Sequence, residues 1–233
     1  PLLFCLALHR VVLKIRSKYP DLLLNVWYLD DGTIVGKRED LREILDLVVW
    51  EGAQVGLTLN LKKCEIWWPS NTDNFFEFPG KITRCKPEEG TELLGSAIGD
   101  KAFIESVFRD RLSNVHSLLD LLKTINDPQT ELYLLRSCLG YARIAFALRT
   151  MDPNISEELL WAFDDMIQET LEKTLQCSID SVSMDQASFA AELGGLGLQC
   201  AATHNEAAFI GSCALTSDLV RTLVGAATAG VHG

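Results

Sequence analysis

The sequence predicts an α+β fold, with short strands and helices in about the first 100 residues and helices after them. Two observations lead to this prediction. β-Branched and aromatic residues flank Asp30-Asp31-Gly32 within residues 22–36, which is typical of a β-hairpin. Apolar residues then recur at helical spacing through residues 101–176. The chain has 233 residues, enough for a real core in one large domain or two small ones.

Composition restricts the classes to which this protein can belong. A hydrophobic content of 48% and a mean hydropathy of +0.12 indicate a globular chain. No apolar run reaches the length of a transmembrane helix, so we expect no membrane partner. Seven cysteines without any C-x-x-C indicate reduced thiols and an intracellular location, in the nucleus or the cytoplasm. The net charge of −11 opposes nucleic-acid binding, although basic residues cluster at Lys62, Lys63, Lys81, Arg84 and Lys86.

The first predicted elements are a helix over residues 1–18, which Pro20 ends, and the hairpin of residues 22–36. Asp30 and Asp31 stand at the tip of this hairpin. We expect Asp31-Gly32 to supply the turn, because glycine adopts a positive φ without strain and aspartate tolerates it.

The two adjacent carboxylates of the hairpin are candidate metal ligands. At the end of a buried strand, the like charges of Asp30 and Asp31 are costly unless a cation neutralises them. Mg²⁺ is a hard cation that prefers carboxylate oxygen. The alternative is a solvated Asp-Asp-Gly turn that binds nothing, since both residue types are ordinary in turns.

Helical and strand patterns alternate up to residue 100. A helix is predicted over residues 39–54, a short strand over 57–61 and an apolar run at 66–68. Residues 69–91 are polar and contain proline and glycine, which predicts a connection with a small hairpin or insertion covered by Phe75, Phe76 and Phe78. Residues 92–99 taken alone fit a bulged strand in which glycine serves packing.

Three helices are predicted between residues 101 and 176. Asp127-Pro128 is an N-cap followed by proline at the first helical position, and the helix it begins is expected to run to about Arg149. Beyond them, the glycines of residues 193–198 do not form a phosphate loop, because no Gly-x-x-x-x-Gly-Lys is present. A last helix is predicted over residues 201–215, and the tail from Gly225 is expected to fray.

Three segments, in this order along the chain, resemble reverse transcriptases, most closely those of non-LTR retroelements. Tyr28-Leu29-Asp30-Asp31 resembles the Tyr-x-Asp-Asp signature of that family. Residues 56–65, GLTLNLKKCE, resemble its Gly-Leu-x-x-Asn-x-x-Lys segment. Residues 92–99, ELLGSAIG, resemble its Leu-Gly-x-x-Ile/Val strand-turn. A helical region then follows, as that family requires, and the resemblance covers about residues 1–150.

The resemblance implies a particular division of the fold. Residues 1–100 would be a partial polymerase palm, in which antiparallel strands carry the Asp-Asp hairpin and pack with helices. Residues 101–176 would be an α-helical thumb-like region. Residues 177–233 would be a Gly-containing connection and C-terminal helices.

The resemblance also implies an activity, that of an RNA-directed DNA polymerase. In that family a DNA primer paired with an RNA template attacks the α-phosphate of a dNTP at a site with two Mg²⁺ ions. Asp30 would be a direct metal ligand, and Asp31 a second ligand or an electrostatic partner. Lys63 would lie near the triphosphate, where it could stabilise charge or supply a proton; the alternative is an ordinary exposed lysine. The residues nearest the primer or nucleotide would be Tyr28, Leu94 and Gly95.

The same resemblance implies an incomplete site. The family needs a further aspartate from an earlier strand, and neither that strand nor the fingers can be matched in this sequence, so we expect them upstream of Pro1. The isolated chain is therefore expected to bind Mg²⁺ weakly and not to polymerise. The alternative hypothesis is a decayed or reused retroelement remnant that acts as a non-catalytic helical interaction module.

Overall fold

The chain folds into an α+β structure that is mostly helical, as the sequence predicted. The structure is a computed structural model and describes residues 1–68, 78–79, 81–85 and 90–228. The chain divides into two compact units. The first unit comprises Pro1–Pro87 with Thr216–Gly233, and the second comprises Glu88–Leu215. The functional divisions expected at residues 100 and 176 stay predictions.

Among its described residues, the first unit contains two helices, two pairs of strands and, in residues 216–228, the end of a long C-terminal helix. Its elements are α1 (Leu2–Lys18), β1 (Leu24–Tyr28), β2 (Asp31–Val35), α2 (Arg38–Gln54), β3 (Glu65–Trp67) and β4 (Thr83–Cys85). β1 pairs antiparallel with β2, whereas β3 pairs parallel with β4. The core of this unit, called the first cluster below, consists of Leu8, Val11, Val12, Ile15, Leu22 and Ile44. The predicted helices over 1–18 and 39–54 are confirmed.

The strand predicted over residues 57–61 is wrong. Residues 57–60 have no regular structure, and a turn follows them. Asn60 makes this turn, because its carbonyl oxygen accepts from the Lys63 amide at 2.9 Å and its Oδ1 accepts from the Lys62 amide at 3.2 Å. The hydrogen bonds from Asn60 to the backbone that follows it favour a turn. They outweigh the strand preference that the alternating leucines before it suggest.

The connection predicted over residues 69–91 falls largely on residues outside the described ones, including Phe75 and Phe76. Phe78 is described and is buried, with 7% of its surface exposed. β4 lies within this stretch and runs parallel to β3, so these two strands do not form a hairpin with each other.

The second unit is a helical assembly with one hairpin. Its elements are β5 (Thr91–Leu93), β6 (Ser96–Ile98), α3 (Lys101–Leu122), α4 (Pro128–Leu134), α5 (Ala145–Thr150), α6 (Glu157–Leu175), α7 (Ser181–Ser188) and α8 (Ala201–Thr228). The unit boundary at Leu215 falls within α8. Side chains fully inaccessible to solvent include Phe108 of α3, Leu148 of α5, and Phe163 and Leu171 of α6. The hairpin agrees with the strand and turn that the resemblance implies over residues 92–99.

The single helix predicted from Pro128 to about Arg149 is wrong. α4 ends at Leu134, a π-helical turn spans Leu135–Leu139, and a 3-10 turn, Tyr141–Arg143, precedes α5. The Gly140 amide donates to the Leu135 carbonyl oxygen at 2.7 Å. A Cβ at residue 140 would lie 2.7 Å from that same oxygen, so the turn requires glycine.

The C-terminal part of the second unit is more helical than the sequence predicted. α7 was not predicted, although Asp180 caps it by accepting from the Ser183 amide at 2.8 Å. α8 extends beyond residue 215 and includes residues 225–228 of the tail expected to fray. Asp164 fixes the start of α8, because its carboxylate accepts from the Ala201 amide at 2.7 Å and the Ala202 amide at 3.0 Å. Among the described residues, no helix combines the length and apolarity that crossing a membrane requires.

We expect Gly140→Ala to lower the free energy of unfolding by about 1–3 kcal/mol, because the added methyl group overlaps the Leu135 carbonyl oxygen. The matched control is Gly211→Ala in α8, where an added Cβ would meet nothing within 4 Å. That control should raise the free energy of unfolding by about 0.5–1 kcal/mol, since alanine loses less backbone entropy in a helix. Urea denaturation followed by circular dichroism measures both variants, and equal effects would contradict the expected clash.

Candidate functional site

The first hairpin turns at Leu29-Asp30. β1 and β2 pair so that Tyr28 lies opposite Asp31 and Trp27 lies opposite Gly32. The positive φ falls on Leu29, at +56°. The expectation that Asp31-Gly32 supplies the turn is therefore wrong, because both residues already belong to β2. Asp30 does stand at the tip, and Asp31 begins the return strand.

Gly32 is needed for packing rather than for turning. A Cβ at residue 32 would lie 2.5 Å from Cζ3 of Trp27, so the indole ring occupies the space that a side chain would fill. The ring nitrogen of Trp27 donates to the Asn25 Oδ1 at 2.8 Å, which holds the indole across the strand pair. The glycine after the two aspartates is thus explained by its cross-strand neighbour.

The two faces of this hairpin differ in their surroundings. Because side chains alternate along a strand, Trp27 and Ile34 share the inner face, and both pack against the first cluster. Tyr28 and Asp31 share the outer face, where 66% of the Tyr28 surface is exposed. The helices thus hold one face of the hairpin and leave the aspartate-bearing face to solvent.

Asp30 and Asp31 are both exposed, and the strand before them is only half-buried. The expectation that they end a buried strand is therefore wrong. Exposed carboxylates retain their hydration, so their mutual repulsion is screened and the fold does not require a cation. The argument from burial for a bound metal no longer holds, and any metal site must rest on the chemistry of the donors.

The donor set at the tip fits one weakly held Mg²⁺ ion. Two carboxylates supply the hard oxygen ligands that Mg²⁺ prefers, with water completing its octahedron. In the part of the chain that the structure describes, no three or more His, Cys, Asp or Glu side chains gather where they could hold a metal. The described residues therefore do not supply a site for two metal ions.

Lys63 lies on the exposed turn that Asn60 forms, in the same unit as the hairpin. Within the described residues, no hydrogen bond or ion pair joins Lys63 to Asp30 or Asp31. The structure therefore does not bring the lysine and the carboxylates into one hydrogen-bonded group. Sequence spacing did not reveal the role of Asn60, which is to orient the backbone at Lys63.

Leu94 and Gly95 form the turn of the second hairpin, with φ values of +50° and +79°. The carbonyl oxygen of Gly95 accepts a hydrogen bond from the Arg111 guanidinium, which also lies 3.7 Å from the Glu92 carboxylate. On β6, the Ser96 hydroxyl donates to the Thr150 carbonyl oxygen at 3.1 Å. Helical residues that the sequence did not single out therefore hold this turn in place.

An acid-free basic segment in the second unit was also missed at the level of sequence. Residues 132–151 contain no aspartate or glutamate but carry Arg136, Arg143 and Arg149. All three arginines are exposed, and none forms an ion pair within the described residues. Two aromatic side chains of the same segment, Tyr133 and Phe146, are 66% and 49% exposed. The lack of acidic residues in this segment can be read from the sequence, but the net charge of −11 does not indicate it.

Comparison with known proteins finds no counterpart for this chain. No protein family, no curated protein and no solved structure matches it.

We expect Gly32→Ala to lower the free energy of unfolding by about 1–3 kcal/mol, because the new methyl group displaces the Trp27 indole from its place. Thr33→Ala is the matched control, since residue 33 is in the same strand but on the opposite face. Urea titration measures stability, and the assigned indole N–H resonance of Trp27 reports on that ring. An unchanged stability in Gly32→Ala would show that the indole does not depend on the glycine.

Proposed function

We propose that this chain is part of the palm and the thumb of an RNA-directed DNA polymerase. The observation that carries the proposal is the outer face of the first hairpin, where Tyr28 and Asp31 lie opposite each other beside the Asp30 turn. α1 and α2 contact each other, and the cluster they contribute to packs on the inner face alone. Within the first unit, a nucleic-acid end can therefore approach the carboxylates from solvent without displacing a described element.

In this proposal each hairpin residue has a distinct role. Asp30 at the turn offers its carboxylate as a direct metal ligand, and Asp31 offers a second oxygen or a negative field beside it. The ring of Tyr28 is an exposed platform against which a primer end can pack. When bound, Mg²⁺ would neutralise phosphate charge at this tip.

The acid-free segment supports the same proposal from the second unit. Arg136, Arg143 and Arg149 can pair with backbone phosphates because no carboxylate among the described residues already occupies them. Exposed Tyr133 and Phe146 are suited to stacking on bases. Local positive charge with interspersed aromatic side chains is the pattern expected of a thumb that contacts a primer–template duplex, despite the acidic total.

A second candidate function is that of a non-catalytic helical interaction module in which the hairpin is a relic. The exposure of Asp30 and Asp31 favours this candidate, because exposed carboxylates need no ion for stability. α1 also presents apolar side chains to solvent, with Leu2, Leu3 and Leu6 exposed by 71%, 81% and 57%. Such an apolar surface suits contact with another protein surface.

We expect Mn²⁺, used as a paramagnetic substitute for Mg²⁺, to broaden the amide resonances of residues 29–32 and Mg²⁺ to reverse the broadening. Asp30→Asn should weaken this binding by about tenfold, because one charged ligand is lost. Nuclear magnetic resonance of the full chain measures the effect.

Asp21→Asn is the control for the metal experiment, since Asp21 is an exposed carboxylate that precedes β1. It should leave the broadening of residues 29–32 unchanged. An unchanged Mn²⁺ affinity in Asp30→Asn would mean that Asp30 is not a metal ligand. Absence of broadening at residues 29–32 in the unchanged chain would mean that the hairpin is not a metal site, and the second candidate function would then be preferred.

The isolated chain should not extend a DNA primer processively on an RNA template with dNTPs and Mg²⁺. The reason is that two carboxylates leave both positions of a two-ion site short of ligands. Electrophoresis of a labelled primer measures extension. Addition of many nucleotides, abolished by Asp30→Asn, would contradict the incomplete site and would establish the polymerase activity directly.

A further inference from the structure

A cavity of about 130 Å³ lies in the second unit, beside the π-helical turn of residues 135–139. The cavity is lined by residues of this turn with Gly140 and Tyr141, and by the glycine-containing stretch of residues 197–199. Ile167 of α6 completes the lining. The cavity is independent of the Asp-Asp hairpin, which belongs to the first unit.

The cavity carries positive charge. Arg136 is the one charged residue among those that line it, and within the described residues no carboxylate pairs with it. Glu131, the nearest acidic residue before the acid-free segment, is buried and accepts from the Thr174 hydroxyl at 2.8 Å. Burial raises the pKa of Tyr141, while the positive charge of nearby Arg149 opposes that rise. A second cation therefore contributes to the field at the cavity wall.

One glycine, Gly197, makes room for the guanidinium. Gly197 has a φ of +72°, and a Cβ there would lie 3.1 Å from Nε of Arg136. The bare backbone thus lets the arginine side chain lie against the loop. Arg136 belongs to the π-helical turn of residues 135–139, and this turn requires the glycine that follows it, Gly140. π-helical turns within α-helices are frequent at functional sites because they re-aim side chains.

Size and chemistry together select the ligand. At about 30 Å³ per water molecule, the cavity has room for on the order of four waters. It is smaller than the roughly 300–1,000 Å³ of pockets that take whole small molecules. An unpaired guanidinium presents parallel N–H donors that match a tetrahedral oxyanion. Gln199, also in the lining, can add an amide donor.

We propose that this cavity binds a single phosphate group through Arg136. The proposal does not rest on the polymerase function. The group can be free phosphate or a terminal phosphate carried by a nucleotide chain, since both present the same oxyanion to the guanidinium.

The test is a titration of the full chain with inorganic phosphate at constant ionic strength, followed by the amide resonances of Gly140 and Gly197. We expect saturable shifts, and a dissociation constant raised about tenfold or more in Arg136→Gln. Arg109→Gln is the matched control, because Arg109 is an exposed arginine of the same unit that does not line the cavity. It should bind phosphate within about twofold of the unchanged chain. Thermal unfolding verifies that both variants fold.

A second titration, with a trinucleotide bearing either a 5′-phosphate or a 5′-hydroxyl group, distinguishes the two sources. Saturable, Arg136-dependent binding of inorganic phosphate supports free phosphate. Arg136-dependent binding of the 5′-phosphorylated trinucleotide alone supports a phosphate at a chain end. The proposal is overturned if neither probe saturates, or if Arg109→Gln loses as much affinity as Arg136→Gln.

Discussion

The contact between the Trp27 indole and the bare backbone of Gly32 is the constraint on which the candidate site depends. It holds the inner face of the hairpin, where Trp27 and Ile34 pack against the first cluster. With that face half-buried, the alternation of the strands leaves Tyr28 and Asp31 on the outer face. The two-residue loop then places Asp30 at the tip. A packing requirement on one face thus determines what the other face can bind.

Glycine serves different physical purposes in the two units. Gly32 makes room for a ring, Gly140 permits the close approach of the Leu135 carbonyl oxygen, and Gly95 adopts a positive φ in a turn. Only the last purpose could be expected from turn chemistry. The other two depend on atoms of residues five positions away, which no local pattern specifies. The break in the helix between α4 and α5 has this origin, and it creates the cavity beside Arg136.

The net charge of the whole chain differs in sign from the local charge of the acid-free segment. A net charge of −11 argues against binding of polyanions by the chain as a whole. All acidic side chains nevertheless lie outside residues 132–151, and several of them are already engaged, such as Glu43 with Lys18 and Asp120 with Lys123. The arginines of the acid-free segment keep their charge available for a partner. Anion recognition by this chain therefore depends on where its charged side chains lie and not on its net charge.

The sequence by itself determined the α+β class, the bounds of α1 and α2, and the first hairpin, because helical periodicity and β-prone runs are local properties. It also placed Asp30 at the tip of that hairpin. Only the tertiary structure decided that the tip is exposed, that the turn begins at Leu29, and that residues 57–61 are not a strand. Burial, cross-strand packing and side-chain bonds to distant backbone decide these features. They arise when separate segments meet, so they cannot be read from neighbours along the chain.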